Sequence, residues 1–322
     1  MHKMKSLLVV TLVLLMLVSS AQGELFKDEI VYAKLSATGA VQGVYIVNAF
    51  ETDEPSEIVD YGTYDRVTNL SDTQPLSYTE GAVSCQIEPG RFFYQGDAPA
   101  KDLPWLIDIS YQLDGKAIEP DRLSGATGEL EVLLNIKVNE SMADLAATSA
   151  LQITVSFNSA NTRAIEAEKA TIAWAGGNQT LAYVLLPGAG ASYVIKAKVT
   201  DFFMPGMQFA GVRMAMDADM YKQAALKQLE GTAFAATAGN MLDNFIKGIQ
   251  NTPIRSFTDE RNESIRSVQY VMITEELHQR LTKNRQLPCQ MSSSRKPSGQ
   301  DSLRCSRDEL SSCSDLALSA VV

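Results

Sequence analysis

The side chains in this sequence that could do chemistry are carboxylates and aromatic rings; imidazoles are almost missing. Past residue 23 there is a single histidine, His278. Catalytic triads and multi-histidine metal sites need an imidazole as base or ligand. One imidazole bordering a serine-rich tail removes most of them. No GxSxG, HExxH, Walker A or GxGxxG pattern stands in a usable context. A carboxylate pair could hydrolyse a glycosidic bond. Asp60, Asp65, Asp108, Asp114 and Glu119 lie near aromatics, but no spacing singles out two of them, and a solvated acidic face accounts for them as well. The expectation is a non-enzyme with no catalytic residue, no cofactor and no metal site. Asp97–Asp102 and Asp217–Asp219 lack EF-hand ligand spacing, which leaves open only a looser Ca²⁺ site between β units.

The aromatic rings offer binding instead. Tyr61, Tyr64, Phe92, Phe93, Tyr94, Trp105 and Tyr111 fall in one short stretch of chain. Flat rings suit sugar faces or the apolar anchors of a partner protein. The binding candidates are Tyr61, Tyr64, Phe93, Tyr94, Trp105 and Tyr111. The same rings could equally fill a sandwich core. Strand alternation puts Phe92 and Tyr94 on one face and Phe93 on the other.

Charge narrows the partners. Glu24–His278 carries 19 Lys and Arg against 34 Asp and Glu. A surface this acidic repels phosphate backbones and anionic headgroups, so nucleic acid and charge-driven membrane binding are excluded as partners. Cys85 is the only cysteine before residue 280. Its alternating surroundings, Ala82-Val83-Ser84-Cys85-Gln86-Ile87, read as a core thiol rather than a reactive one. No CxxC spacing supports zinc or thiol exchange. Asn69, Asn139, Asn178 and Asn262 head Asn-x-Ser/Thr sequons, which matter only where the source glycosylates.

The elements that must position these residues read as strands from residue 29 to 215. Val31, Ala33 and Leu35 alternate with Tyr32, Lys34 and Ser36, and after a turn at Ala37–Ala40 the strand Val41–Phe50 returns. Further strands are expected at 57–61, 81–88, 91–95, 104–113, 128–138, 150–157, 163–174, 179–186, 191–200 and 207–215. Turn signals at Asp114-Gly115, Gly125, Gly176-Gly177, Pro187-Gly188 and Pro205-Gly206 separate many of them. No long helices alternate with the strands, so the fold class is mainly β, with tandem antiparallel sandwich units. Residues 24–123 form an aromatic-rich unit. Residues 124–216 hold about seven strands, the number of an immunoglobulin-like sandwich, without its Cys…Trp…Cys signature. Residues 217–252 read as a C-terminal helical segment with a stripe of Leu242, Phe245, Ile246 and Ile249, and 253–278 hold a last strand at Ser267–Ile273.

The two ends differ from this body. Lys3 and Lys5 precede an apolar run, Leu7–Val18, and then Ser19, Ser20, Ala21 and Gly23. That is the three-part pattern of a signal peptide over residues 1–23. The run is too short to span a hydrocarbon core of ~30 Å as a helix, so a secreted, extracytoplasmic protein is expected, with no transmembrane segment after cleavage. Residues 279–322 hold ten Ser, three of the four Cys and an excess of basic residues. They read as a disordered tail or as translation in a shifted frame.

Several segments together carry a resemblance: Val31-Tyr32-Ala33-Lys34-Leu35, Val44-Tyr45-Ile46-Val47-Asn48, Asp60-Tyr61-Gly62, Phe93-Tyr94-Gln95-Gly96, Leu103-Pro104-Trp105, Tyr111-Gln112-Leu113-Asp114-Gly115, Leu186-Pro187-Gly188 and Ser267-Val268-Gln269-Tyr270-Val271. Over about Lys27–Glu276 the chain resembles uncharacterised exported proteins of Gram-positive bacteria that accompany membrane proteins of the phage-infection-protein and exporter type. The resemblance implies an accessory or interaction role at the cell envelope, with a membrane exporter as partner. It brings no catalytic or ligand residues. The alternative is an adhesin or carbohydrate-binding module that uses the aromatic cluster on a cell-surface glycan. In longer relatives the helical part carries Leu-x-x-Gly-like repeats and ends near a membrane anchor. Leu229-Glu230-Gly231 and Leu242–Gly248 look like remnants of that part.

Overall fold

Period-two alternation dominates the sequence, and it becomes three β-sheets. The computed structural model describes residues 25–99, 102–213, 247–248 and 252–277. The strands in chain order are β1 (Phe26–Leu35), β2 (Val41–Thr52), β3 (Ser56–Tyr61), β4 (Arg66–Asn69), β5 (Ser77–Thr79), β6 (Ala82–Ile87), β7 (Gly90–Ala98), β8 (Trp105–Leu113) and β9 (Lys116–Ala117), then β10 (Gly128–Val138), β11 (Ser149–Asn158), β12 (Thr162–Ala167), β13 (Thr171–Ala175), β14 (Asn178–Leu185), β15 (Ala191–Val199), β16 (Gln208–Arg213) and β17 (Ile265–Thr274). Two single-turn helices, α1 (Pro120–Leu123) and α2 (Ala143–Ala146), join strands. Among the described residues no helix is long and apolar enough to cross a membrane.

A nine-stranded sheet runs β13-β14-β11-β16-β17-β1-β2-β7-β4, a five-stranded sheet runs β12-β15-β10-β8-β9, and a three-stranded sheet runs β3-β6-β5. The inner face of the large sheet packs on the other two. Trp105 of β8 meets Tyr270 of β17 edge-on at 5.2 Å, and Tyr183 of β14 lies 4.1 Å from Tyr193 of β15. Near β2 and β7, Ile58, Val83 and Ile87 of the small sheet join Phe50, Phe92 and Tyr94 in the same core cluster. Interlocked aromatic and β-branched side chains of this kind supply most of the stability of a sandwich.

Two features differ from a pair of tandem antiparallel sandwiches. The large sheet takes β1, β2, β4 and β7 from residues 24–123 and β11, β13, β14 and β16 from residues 124–216, so the two segments share one sheet. The last strand, β17, inserts between them and pairs in parallel with β1, from Lys27↔Ile265 to Leu35↔Thr274. Parallel neighbours need a long connection, and nearly the whole described chain separates these two. The expected strand at 163–174 is two strands, because the chain turns at Lys169, with φ of 63°, and crosses from the five-stranded to the nine-stranded sheet. Short strands β4, β5 and β9 carry too few alternating residues to show in the sequence. The expected signal peptide, the tail after residue 278 and the expected helical segment at 217–252 lie outside the described residues, apart from Lys247 and Gly248, which are helical, and Thr252, which is not.

Candidate functional site

The densest chemistry lies inside the molecule. On β1 the residues facing the core are Lys27, Glu29, Val31, Ala33 and Leu35, so strand parity carries two opposite charges into the interior. Lys27 Nζ lies 2.7 Å from Glu29 Oε1 and 2.6 Å from Asp60 Oδ1, with all three side chains nearly sealed from solvent. The second oxygen of Asp60 accepts a hydrogen bond from Tyr94 Oη. Tyr64 packs edge-on against Tyr94, and its hydroxyl accepts from Asn48 Nδ2 at 3.2 Å. Glu29 accepts from Ser256 Oγ and from the Phe257 backbone N–H, both at 2.6 Å, and from Thr258 Oγ1 at 3.2 Å. Asn262 then clamps the same loop to β3: its side chain donates to the Tyr61 carbonyl and accepts from the Tyr61 N–H, each at 2.8 Å.

Glycines make room for this lattice. A Cβ on Gly62 would stand 2.5 Å from the Tyr64 ring, and one on Gly96 would stand 2.3 Å from it. Only backbone without a side chain lets that ring lie where it does. Burial raises the Asp60 carboxyl pKa, against the opposing pull of the Lys27 ammonium and the hydrogen bonds from Lys27 and Tyr94. Burial, reinforced by the Asp60 charge, pushes the hydroxyls of Tyr64 and Tyr94 well up. Shifted acids beside a lysine can mark a catalytic centre. Here every charge is paired and the three charged side chains are nearly sealed from solvent, so the lattice ties β1, β3, β7 and the 256–262 loop together.

The six expected binding aromatics separate. Tyr64 and Tyr94 meet within this lattice, and both are buried. Trp105 and Tyr111 belong to β8 in another sheet and are also buried; Tyr111 Oη donates to the Ala37 carbonyl at 2.8 Å. Tyr61 and Phe93 are half-buried, with Arg261 4.0 Å over the Tyr61 ring and Arg91 6.0 Å over Phe93. Phe92 and Tyr94 share the inner face and Phe93 takes the outer one, as alternation requires. Cys85 is half-buried against the core as a free thiol, and burial raises its pKa. Among the described residues no group of three or more His, Cys, Asp or Glu side chains could hold a metal ion. The side-chain amides of Asn69, Asn139 and Asn262 donate hydrogen bonds to the Gln74, Leu103 and Tyr61 carbonyls.

The accessible aromatic feature is elsewhere, on the outer face of the nine-stranded sheet. Tyr32 of β1 and Tyr45 of β2 are cross-strand partners, and their rings stack at 4.8 Å and 9°. They line a depression of about 550 Å³ together with Ala33, Lys34, Val271, Ile273, Glu275 and Glu276. Tyr45 is 38% exposed and Ile273 43%. Burial, with the neighbouring Tyr32 and Asp97, raises the Tyr45 hydroxyl pKa, so the Tyr45 ring stays neutral at physiological pH. Sequence reasoning placed Tyr32 on the polar phase of its strand without assigning it a role.

No family model matches the chain, and no curated protein is similar to it. Among solved structures it is similar to the Fcho1 mu-homology domain of Danio rerio with a bound Eps15 peptide, at a TM-score of 0.41 and 8% identity over 81% of this chain and 98% of that one. It is also similar to the yeast delta-COP-I mu-homology domain, at a TM-score of 0.38 and 7% identity over 80% and 97%. The same yeast domain with a Dsl1 WxWxV peptide gives a TM-score of 0.36 at 7% identity. Likeness at this level assigns neither a family nor a function.

Proposed function

We propose that this chain is an exported, non-enzymatic interaction module of a bacterial cell envelope, an accessory to a membrane protein of exporter type. The outer face around Tyr32 and Tyr45 is the contact surface. The observation that carries this reading is the stacked, accessible ring pair beside a depression that combines Val271 and Ile273 with Lys34, Glu275 and Glu276. Aromatic anchors among apolar and charged neighbours are the composition of protein-binding hot spots. The sealing of the chemically active side chains supports a binding role over catalysis, and the leader at residues 1–23 supports export. The seven strands β10–β16, four in one sheet and three in the other, support an immunoglobulin-like unit within the larger sandwich.

The test is a photo-cross-linker placed at Ile273 in cells of the source organism. A membrane protein captured by the parent chain and lost on Tyr45→Ala is the expected result. Capture of no membrane protein removes the accessory role. A second reading, a glycan-binding module, draws on the same two flat rings. A polysaccharide that binds the parent chain and not Tyr45→Ala would select it.

A further inference from the structure

One edge of the nine-stranded sheet is built for a further strand. Hairpin β13–β14 turns through Gly176-Gly177, with φ of 56° and 81°. Positive φ at both central residues is the type I′ turn of a two-residue hairpin. Ala175↔Asn178 is therefore the first hydrogen-bonded pair, followed by Ala173↔Thr180 and Thr171↔Ala182. Ile172 and Trp174 fall on the alternate positions. Their N–H and C=O groups point away from β14, toward the edge where the sheet order ends. Trp174 is 70% exposed and Ile172 43%. Both lie on the inner face, beside buried Leu181, yet the second sheet does not cover them.

Sheet edges are commonly guarded by charge, proline or a bulge. The sequence Thr-Ile-Ala-Trp-Ala has no charge and no proline, and β13 pairs with β14 without a register shift. We infer that β13 is a docking edge for an extended segment of a partner protein, added as a tenth strand. Ile172 and Trp174 would hold the partner's apolar side chains. The partner's alternate residues, facing outward, would be basic, because this chain carries 38 Asp and Glu against 28 Lys and Arg. A second copy of the chain is the less suitable occupant. Both copies would be acidic and repel each other, whereas a basic partner segment is attracted. The edge stands five strands from β1, about 24 Å at the usual strand spacing. It is thus distinct from the Tyr32–Tyr45 face, and either can fail without the other.

The test uses tryptophan emission of the full chain. There are two tryptophans, and Trp105 is buried, so Trp174 reports the edge. The probe is a short synthetic peptide of alternating Lys and Val, beside a copy N-methylated at the backbone positions facing β13. The expected result is a blue shift on adding the first peptide and binding weaker by about tenfold or more with the second, which lacks the inter-strand donors. Ile172→Pro, which removes an outward N–H without touching the β14 ladder, gives the same loss. Equal binding of both peptides means adsorption by charge and overturns the inference, as does the absence of any blue shift. A dimer of the parent chain that Ile172→Pro dissociates overturns it too, by placing a second copy at the edge.

Discussion

The inner lattice around Lys27 and the outer face around Tyr45 share β1 and β2 but lie on opposite faces of the sheet, and they use side chains in opposite ways. Inside, the three charges pair with one another and are held by Tyr94 and the 256–262 loop, sealed from solvent. Outside, two tyrosine rings, Val271 and Ile273 line a depression together with Lys34, Glu275 and Glu276. Charged clusters draw the eye as active sites, but a charge that is paired and buried is a structural tie. The accessible surface here offers area and shape, which are the currency of binding and not of bond-making.

The largest effect expected from this contrast is on the inner side. Lys27→Met leaves Glu29 and Asp60 buried without their cation, and should cost about 3–5 kcal/mol in urea unfolding. A cost under about 1 kcal/mol would mean that the lattice does not hold the fold together. Next, Gly96→Ala presses a methyl into the Tyr64 ring and should cost about 1–3 kcal/mol by the same measurement. On the outer side, Tyr45→Ala should change stability little but weaken partner binding roughly thirtyfold, the loss of one hot-spot ring.

The smallest effect concerns pH. The Asp60 carboxyl pKa is raised in the folded state. Its contribution to stability is therefore full below the ordinary carboxylate range and fades as pH rises through the folded value. Asparagine at this position stays neutral at every pH. The stability of Asp60→Asn relative to the parent should thus rise with pH across the acid range in parallel thermal melts. A relative stability that falls with pH would show that Lys27 outweighs burial.

Much of the architecture was legible because alternation is a local signal. Most of the longer strands from Val31 to Phe209, and the last strand near Val268, fall where periodicity places them; the expected strand at 163–174 is two, and β4, β5 and β9 left no signal. Strand partners were not legible. Nothing local says that Ile265–Thr274 inserts beside Phe26–Leu35 in parallel, since pairing depends on burial across the whole sheet. The site shows the same division. Tyr64, Tyr94, Trp105 and Tyr111 cluster in sequence, but half the rings of a two-layer fold face inward and these four do. The usable signal was parity. Lys27 and Glu29 share the phase of Val31, Ala33 and Leu35, which marks them as buried, whereas Tyr32 shares the phase of Lys34, which marks it as accessible. Reading the phase of each strand before grouping residues by type would have found both regions.

The central claim is that the outer face, not the inner lattice, carries function. The most direct measurement compares Tyr45→Ala and Asp60→Asn side by side in cells of the source organism, with the cross-linker at Ile273 and folding of each variant checked by thermal melting. The account predicts that Asp60→Asn keeps the parent chain's cross-linked membrane partner and Tyr45→Ala loses it while remaining folded. Loss on Asp60→Asn in a folded protein, with retention on Tyr45→Ala, would contradict it.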